Sequence, residues 1–269
     1  MTDPRSLAHE LHDAYLRKTL VTAPTMREGG FDLAAAYATE AELVRLRHAE
    51  GHRSVGVKVG FANKAMWRAL KLDTLVWAHI YDDTVRHAVG NAATIAIGNM
   101  HAPKIEPEIV FKLHSPIAPE ADAAAVLGAT EWLALGFEII DCVYPDWKFT
   151  PVDFVAAYGL HVGLIVGAPL AVTAELIPSL VDQLAAFTVT LQKNGETVAQ
   201  GSGKNSLKSP ALCLGELSSA STKAGDPLKA GDLVSSGTLT EAQLLAPGQA
   251  FTAVVEGLNV SPLTVRTVA

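Results

Sequence analysis

Apolar residues at helical spacing open the chain. Leu7, Leu11, Ala14, Tyr15 and Leu20 predict an amphipathic helix over residues 6–22. A second helix is expected over 33–50, with Asp32 as its N-cap and Gly51 as its stop. From Ser54 the pattern changes to short β-rich runs punctuated by Gly and Pro. These predict strands at 55–61, 75–81, 94–97, 104–113, 137–143, 160–166 and 187–193. Residues 121–135, rich in Ala and Leu between Pro119 and Gly136, read as a helix. Asn194-Gly195 predicts a hairpin, because both residues tolerate the positive φ that a type I′ turn needs. Two further strands are expected within 227–236 and 245–255. Strands do not alternate with long helices, and no Gly-rich phosphate loop sits at a strand-to-helix junction, so a doubly wound parallel sheet is not expected. The fold class is α+β: a mixed, strongly curved β-sheet with N-terminal helices. The expected division is a helical region at 1–53 and a catalytic β-domain at 54–269, forming one structural unit.

Composition narrows the partners more than the fold. A chain of 269 residues can bury a large core, and a net charge of -7 without a Lys/Arg stripe argues against nucleic acid. Cys142 and Cys213 are isolated, which indicates neither a disulfide framework nor a zinc site. Charged residues from Asp3 to Lys18 break the apolar run that a signal peptide requires. No stretch approaches the ~20 apolar residues needed to span a bilayer, so the expected setting is the cytoplasm, with no membrane partner.

The chemistry concentrates in Lys104-Ile105-Glu106-Pro107-Glu108. In a strand, residues i and i+2 leave the same face, so Glu106 and Glu108 stand side by side. Either they face solvent, or a cation lies between them, or one carboxyl holds a proton. All-oxygen ligands favour Mg²⁺, Mn²⁺ or Ca²⁺ over zinc. Glu138 interrupts an apolar run and would be costly to bury without a compensating charge; the alternative is a half-exposed strand position. Asp141, three residues on, points from the opposite face and reads as a structural acid. In Gly56-Val57-Lys58-Val59-Gly60, Lys58 shares its face with two glycines, so a small ligand can approach it closely. It is either a carboxylate anchor or proton carrier, or a surface lysine. Asp82-Asp83 supplies an acid or base, or simply ends a strand.

Gly56-Val57-Lys58-Val59-Gly60-Phe61-Ala62-Asn63-Lys64 resembles the GxKxGLTSK signature of the 2-keto-4-pentenoate hydratase and 4-oxalocrotonate decarboxylase family, in the fumarylacetoacetate hydrolase superfamily. Pro103-Lys104-Ile105-Glu106-Pro107-Glu108-Ile109 resembles its P[KR][IV]EAEI segment. Phe137-Glu138-Ile139-Ile140-Asp141 with Asp146-Trp147-Lys148 is similar to its EIVDSR...DWK segment. The run from Pro227 to Thr240 looks like its PLKAGDIV...TGALT stretch. The matches follow the family's order along nearly the whole chain.

The resemblance implies a β-roll, Mg²⁺ or Mn²⁺ on Glu106, Glu108 and Glu138, and a homo-oligomer. It also implies a small-molecule 2-keto acid substrate that chelates the ion. Lys58 and Asp82 would be acid/base groups, with Thr238 and Asp83 contacting substrate. The expected activity is that of a lyase hydrating 2-hydroxypenta-2,4-dienoate in aromatic-compound catabolism. The alternatives are decarboxylation of 2-oxo-3-hexenedioate, C-C bond hydrolysis, or a non-catalytic structural role in a complex. Where the family reads VADNASS, this chain has Val155-Ala156-Ala157-Tyr158-Gly159-Leu160-His161. His161 therefore either takes over proton transfer or fills a polar niche. Lys204-Asn205-Ser206 replaces a small apolar stretch and signals an altered pocket or subunit contact.

Overall fold

The computed structural model describes residues 3–269. Helix α1 (Pro4–Arg17) starts at Asp3, whose carboxylate accepts from the Ser6 amide. It ends five residues before the expected stop because Lys18 turns left-handed and the Val21 amide bonds to Val143 O instead. Helix α2 (Leu33–Ala49) has its expected cap, Asp32, bonded to the Ala35 amide. There follow β1 (Ser54–Gly60), α3 (Lys64–Leu70), β2 (Val76–Tyr81), β3 (Val85–His87), β4 (Ala92–Ala96) and β5 (Lys104–Leu113). The middle of the chain gives α4 (Ala123–Gly128), β6 (Thr130–Ile140), α5 (Pro151–Ala156), β7 (His161–Val166), β8 (Leu170–Ala171) and α6 (Ile177–Ala186). The last third gives β9 (Thr188–Lys193), β10 (Glu196–Ser202), α7 (Pro210–Lys223), β11 (Leu233–Ser235), β12 (Gln243–Leu244), β13 (Ala250–Glu256) and β14 (Leu263–Val268).

The strands form two mixed sheets. The larger runs β2-β1-β11-β5-β6-β7-β3, with β12 added to β5 and β8 to β6; the smaller runs β10-β9-β13-β14-β4. Parallel pairs such as β1 with β11 sit among antiparallel ones, which agrees with the α+β expectation of a mixed, curved sheet. Phe111, Ile105, Ile109 and Phe137 are fully buried in the central strands, and Leu7, Leu11 and Ala36 of the N-terminal helices join the same apolar core. Asn194 and Gly195 take φ of 52° and 89° and join β9 to β10, the turn their sequence predicts.

One element departs sharply from expectation. Residues 121–135 were expected to be helical, but the helix is only α4, and the chain is extended from Thr130 onward. The cause is non-local. β5 pairs with β6 from Lys104↔Ile140 to Leu113↔Thr130, and these ladder bonds outweigh helix propensities that differ by less than ~1 kcal/mol per residue. The late strands are also shorter than expected: β11 uses only three residues, while Asp232 folds the preceding turn back by accepting from the Lys229 amide at 2.7 Å. Helices α6 and α7 carried no recognised sequence signal. Among the described residues no helix is long and apolar enough to cross a membrane.

Candidate active site

Five neighbouring strands each bring polar groups to one place. Glu106 and Glu138 are direct cross-strand partners in the β5–β6 ladder, so a sequence separation of 32 residues closes to adjacent positions on one face. Glu108, two residues along β5, shares that face. Carboxylate oxygens of Glu106, Glu108 and Glu138 all lie within 4.8 Å of one another. On one side β1 supplies Lys58, whose Nζ is 2.7 Å from Glu138 Oε2 and donates to Gly159 O at 3.1 Å. On the other side β7 begins with His161, whose Nδ1 is 2.8 Å from Glu138 Oε1 and whose Nε2 is 2.9 Å from Thr84 Oγ1. From β11 the Ser235 hydroxyl donates to Glu108 Oε2, as does the Gly237 amide at 2.9 Å.

Burial governs the electrostatics. Glu108 and Glu138 are wholly inaccessible and Lys58 nearly so. Burial and the Glu138 charge push the Glu106 carboxyl up to about 7, against the pull of Lys58. Burial, together with the charges of Glu138 and Glu106, holds Glu108 well above the usual carboxylate range. Burial also works against ionisation of Glu138, but the Lys58 ammonium and the His161 hydrogen bond keep it below that range. Three carboxyls thus face one ammonium, and Glu108 Oε1 is buried without any hydrogen-bond partner. An orphaned carboxylate oxygen amid an all-oxygen donor set is what a hard divalent cation satisfies, so the residues fit such an ion.

A cleft of about 1430 Å³ opens beside this cluster, lined among others by Lys58, Lys104, Glu106, Trp147, Phe154 and Thr238. The Thr238 hydroxyl donates to Thr240 O at 2.9 Å. The expectation for Asp82 and Asp83 needs correction, because neither reaches the cleft. The β1–β2 register pairs Lys58 with Ala78 and Ser54 with Tyr81, which carries the acids some four strand positions away from Lys58, roughly 13 Å. There Asp83 takes both oxygens to Arg47 Nη2 at 2.6 Å, and Asp82 accepts from the Arg53 amide at 3.1 Å. Asp141 is structural, as its face predicted: it accepts from the amides of His101 and Ala102. Sequence reading missed Thr84, Ser235 and the Gly237 amide. The last two fall inside the Pro227–Thr240 stretch, where only Thr238 had been singled out.

The profile of the fumarylacetoacetate (FAA) hydrolase C-terminal family matches residues 63–266. The chain is 28% identical over 254 residues to a 4-oxalocrotonate decarboxylase of Pseudomonas sp. (strain CF600), covering 94% of this chain and 93% of the relative. It is 32% identical over 211 residues to a 2-hydroxypent-2,4-dienoate hydratase of Pseudomonas putida, covering 77% of this chain and 90% of that one. The solved 4-oxalocrotonate decarboxylase from Pseudomonas putida G7, complexed with magnesium and adipate, superposes with a TM-score of 0.89 at 25% identity, covering 98% of this chain and 97% of that one. With a matched span that runs over most of its sheet and relatives along nearly its full length, the chain belongs to the fumarylacetoacetate hydrolase family and is an enzyme of that family.

Proposed function

We propose that this chain is a divalent-metal-dependent lyase acting on a 2-hydroxydienoate or the related 2-keto acid, with Mg²⁺ or Mn²⁺ as its ion. It would work as a cytoplasmic homo-oligomer. The observation that carries the reading is the cross-strand pair Glu106–Glu138 with Glu108 beside it, buried against a single lysine. These three residues would hold the ion, which when bound supplies positive charge next to the substrate's 2-keto oxygen. Lys58 is the proton carrier: its Nζ donates to Gly159 O, pairs with Glu138 Oε2 at 2.7 Å, and lines the cleft. His161 and Thr84 fix the Glu138 carboxylate from behind. Phe154 packs 4.8 Å from Lys58 Nζ and keeps water from it, while Thr238 on the cleft wall would turn its hydroxyl from Thr240 O to the substrate carboxylate.

Hydration of the five-carbon dienoate is the first reading. One observation favours decarboxylation of a six-carbon diacid. Lys104 shares the strand face of Glu106, and its Nζ rests 3.9 Å over the Trp147 ring, an uncharged support that leaves the ammonium available to a second carboxylate. The test is turnover with added Mg²⁺. Loss of dienoate ultraviolet absorbance supports hydration, CO₂ release from 2-oxohexenedioate supports decarboxylation, and neither change with any 2-keto acid would sink the reading. Glu106→Gln should abolish metal-dependent turnover with the fold intact; full activity in that variant would refute its role. His161→Ser should move substrate preference toward the relatives' substrates, whereas an unchanged profile would make His161 a packing residue.

A further inference from the structure

Helices α1 and α2 precede the span matched by the family, yet they touch the loop that holds Lys58. Tyr158, Gly159 and Leu160 take φ of 56°, 58° and 57°, three left-handed residues in a row. Two of them are not glycine, so the surroundings must impose this conformation. The turn delivers Gly159 O to Lys58 Nζ at 3.1 Å. Only glycine permits that approach, since a Cβ at 159 would lie 2.8 Å from Lys58 Cδ and 3.0 Å from Ala78 Cβ.

The imposing contacts come from the N-terminal helices. His12 of α1 meets the Tyr158 hydroxyl through Nδ1 at 2.7 Å and Glu50 Oε1 through Nε2 at 2.7 Å. With Glu50 accepting from Nε2–H, the neutral ring leaves Nδ1 to accept from the tyrosine O–H. Tyr15 packs against Tyr158 at 4.9 Å between ring centroids, and Tyr81 meets it edge-on at 6.0 Å. Arg47 of α2 lies over the Tyr81 ring at 4.9 Å, joining Glu50 to Asp83. Nothing in this chain of contacts reaches the cleft.

We infer that the N-terminal helices position the site lysine: His12 and Tyr158 are positioning residues that lock the left-handed turn and so aim Lys58 Nζ through the Gly159 carbonyl. This rests on the reading of Lys58 as the proton carrier. It also gives Asp83 a place, as the far anchor of Arg47 rather than a substrate contact.

Tyr158→Phe removes one hydroxyl and His12→Leu its partner. In the full chain with Mg²⁺, each should lower kcat about tenfold or more, because small misplacements of a reacting group are costly, while KM stays within about twofold. His12→Gln, whose amide oxygen can still accept from Tyr158, should recover much of the loss. Values of kcat within about twofold of wild type in both Tyr158→Phe and His12→Leu would overturn the inference, as would a loss confined to KM. Should those variants fail to fold, the half-exposed Glu50→Gln decides: lowered kcat supports the inference, and lowered Tm with unchanged kcat overturns it. A readout independent of turnover separates this idea from the proposed reaction. The Lys58 ammonium signal, assigned by its absence in Lys58→Met in a nitrogen-15 lysine spectrum, should move or broaden in Tyr158→Phe. An unmoved signal overturns the positioning even if the wild type turns over no 2-keto acid.

Discussion

Replacing Lys58 by Met isolates the electrostatic core of the site. The two side chains have similar length, so the change removes a charge and leaves little cavity. In the wild type the ammonium is 3% exposed, beside a carboxylate that is 0% exposed, at 2.7 Å. At an effective dielectric of ~20 that contact has a gross attraction of about 6 kcal/mol, most of it offset by desolvation of both ions. Removing one partner leaves the other buried and uncompensated, which typically costs ~3–5 kcal/mol. For a chain of this size ~3 kcal/mol lowers Tm by about 6–12 °C. The three carboxyls then lose the cation in contact with them and keep only the weaker pull of Lys104 on Glu106, so Mg²⁺ should raise Tm more in Lys58→Met than in the wild type. Differential scanning calorimetry with Mg²⁺ and with EDTA measures both effects. A variant within about 2 °C of wild type in EDTA, or equal Mg²⁺ shifts in the two proteins, would refute the claim that Lys58 balances the buried acids.

Two other substitutions probe the surrounding framework. His79 lies between Glu40, at 2.7 Å, and Asp226, at 3.2 Å; against the opposing effect of burial, these acids raise its imidazole to about 10. A raised histidine stabilises fully below its unfolded value of ~6.5 and loses that contribution as pH climbs through about 10, at most about 5 kcal/mol. Urea titrations at about pH 6 and about pH 10 should therefore show a loss in wild type that is much smaller in His79→Gln, and parallel curves would refute the coupling. A Cβ at Gly60 would fall 2.4 Å from Phe154 Cζ. Gly60→Ala should cost about 1–3 kcal/mol and lower kcat, because the displaced ring also flanks Lys58; unchanged Tm and kcat would show that the ring yields freely.

Local chemistry alone determined a good deal of this protein. The caps at Asp32, the Asn194-Gly195 turn and the same-face placement of Glu106 and Glu108 follow from φ/ψ preferences and the two-residue period of a strand. Motif order then identified the family and pointed to Glu138 and Lys58. Only the tertiary structure decided register. The β5–β6 ladder turned a helical-looking Ala/Leu stretch into strand and set Glu138 directly opposite Glu106, because backbone pairing between distant segments is invisible to local propensity. The same kind of long-range constraint carried Asp82 and Asp83 to the far end of β2, where arginines rather than substrate satisfy them. It also brought His12, from a helix near the start of the chain, to a tyrosine 146 residues away, next to the carbonyl that holds Lys58. No periodicity encodes that contact; it exists only once helix and sheet have packed.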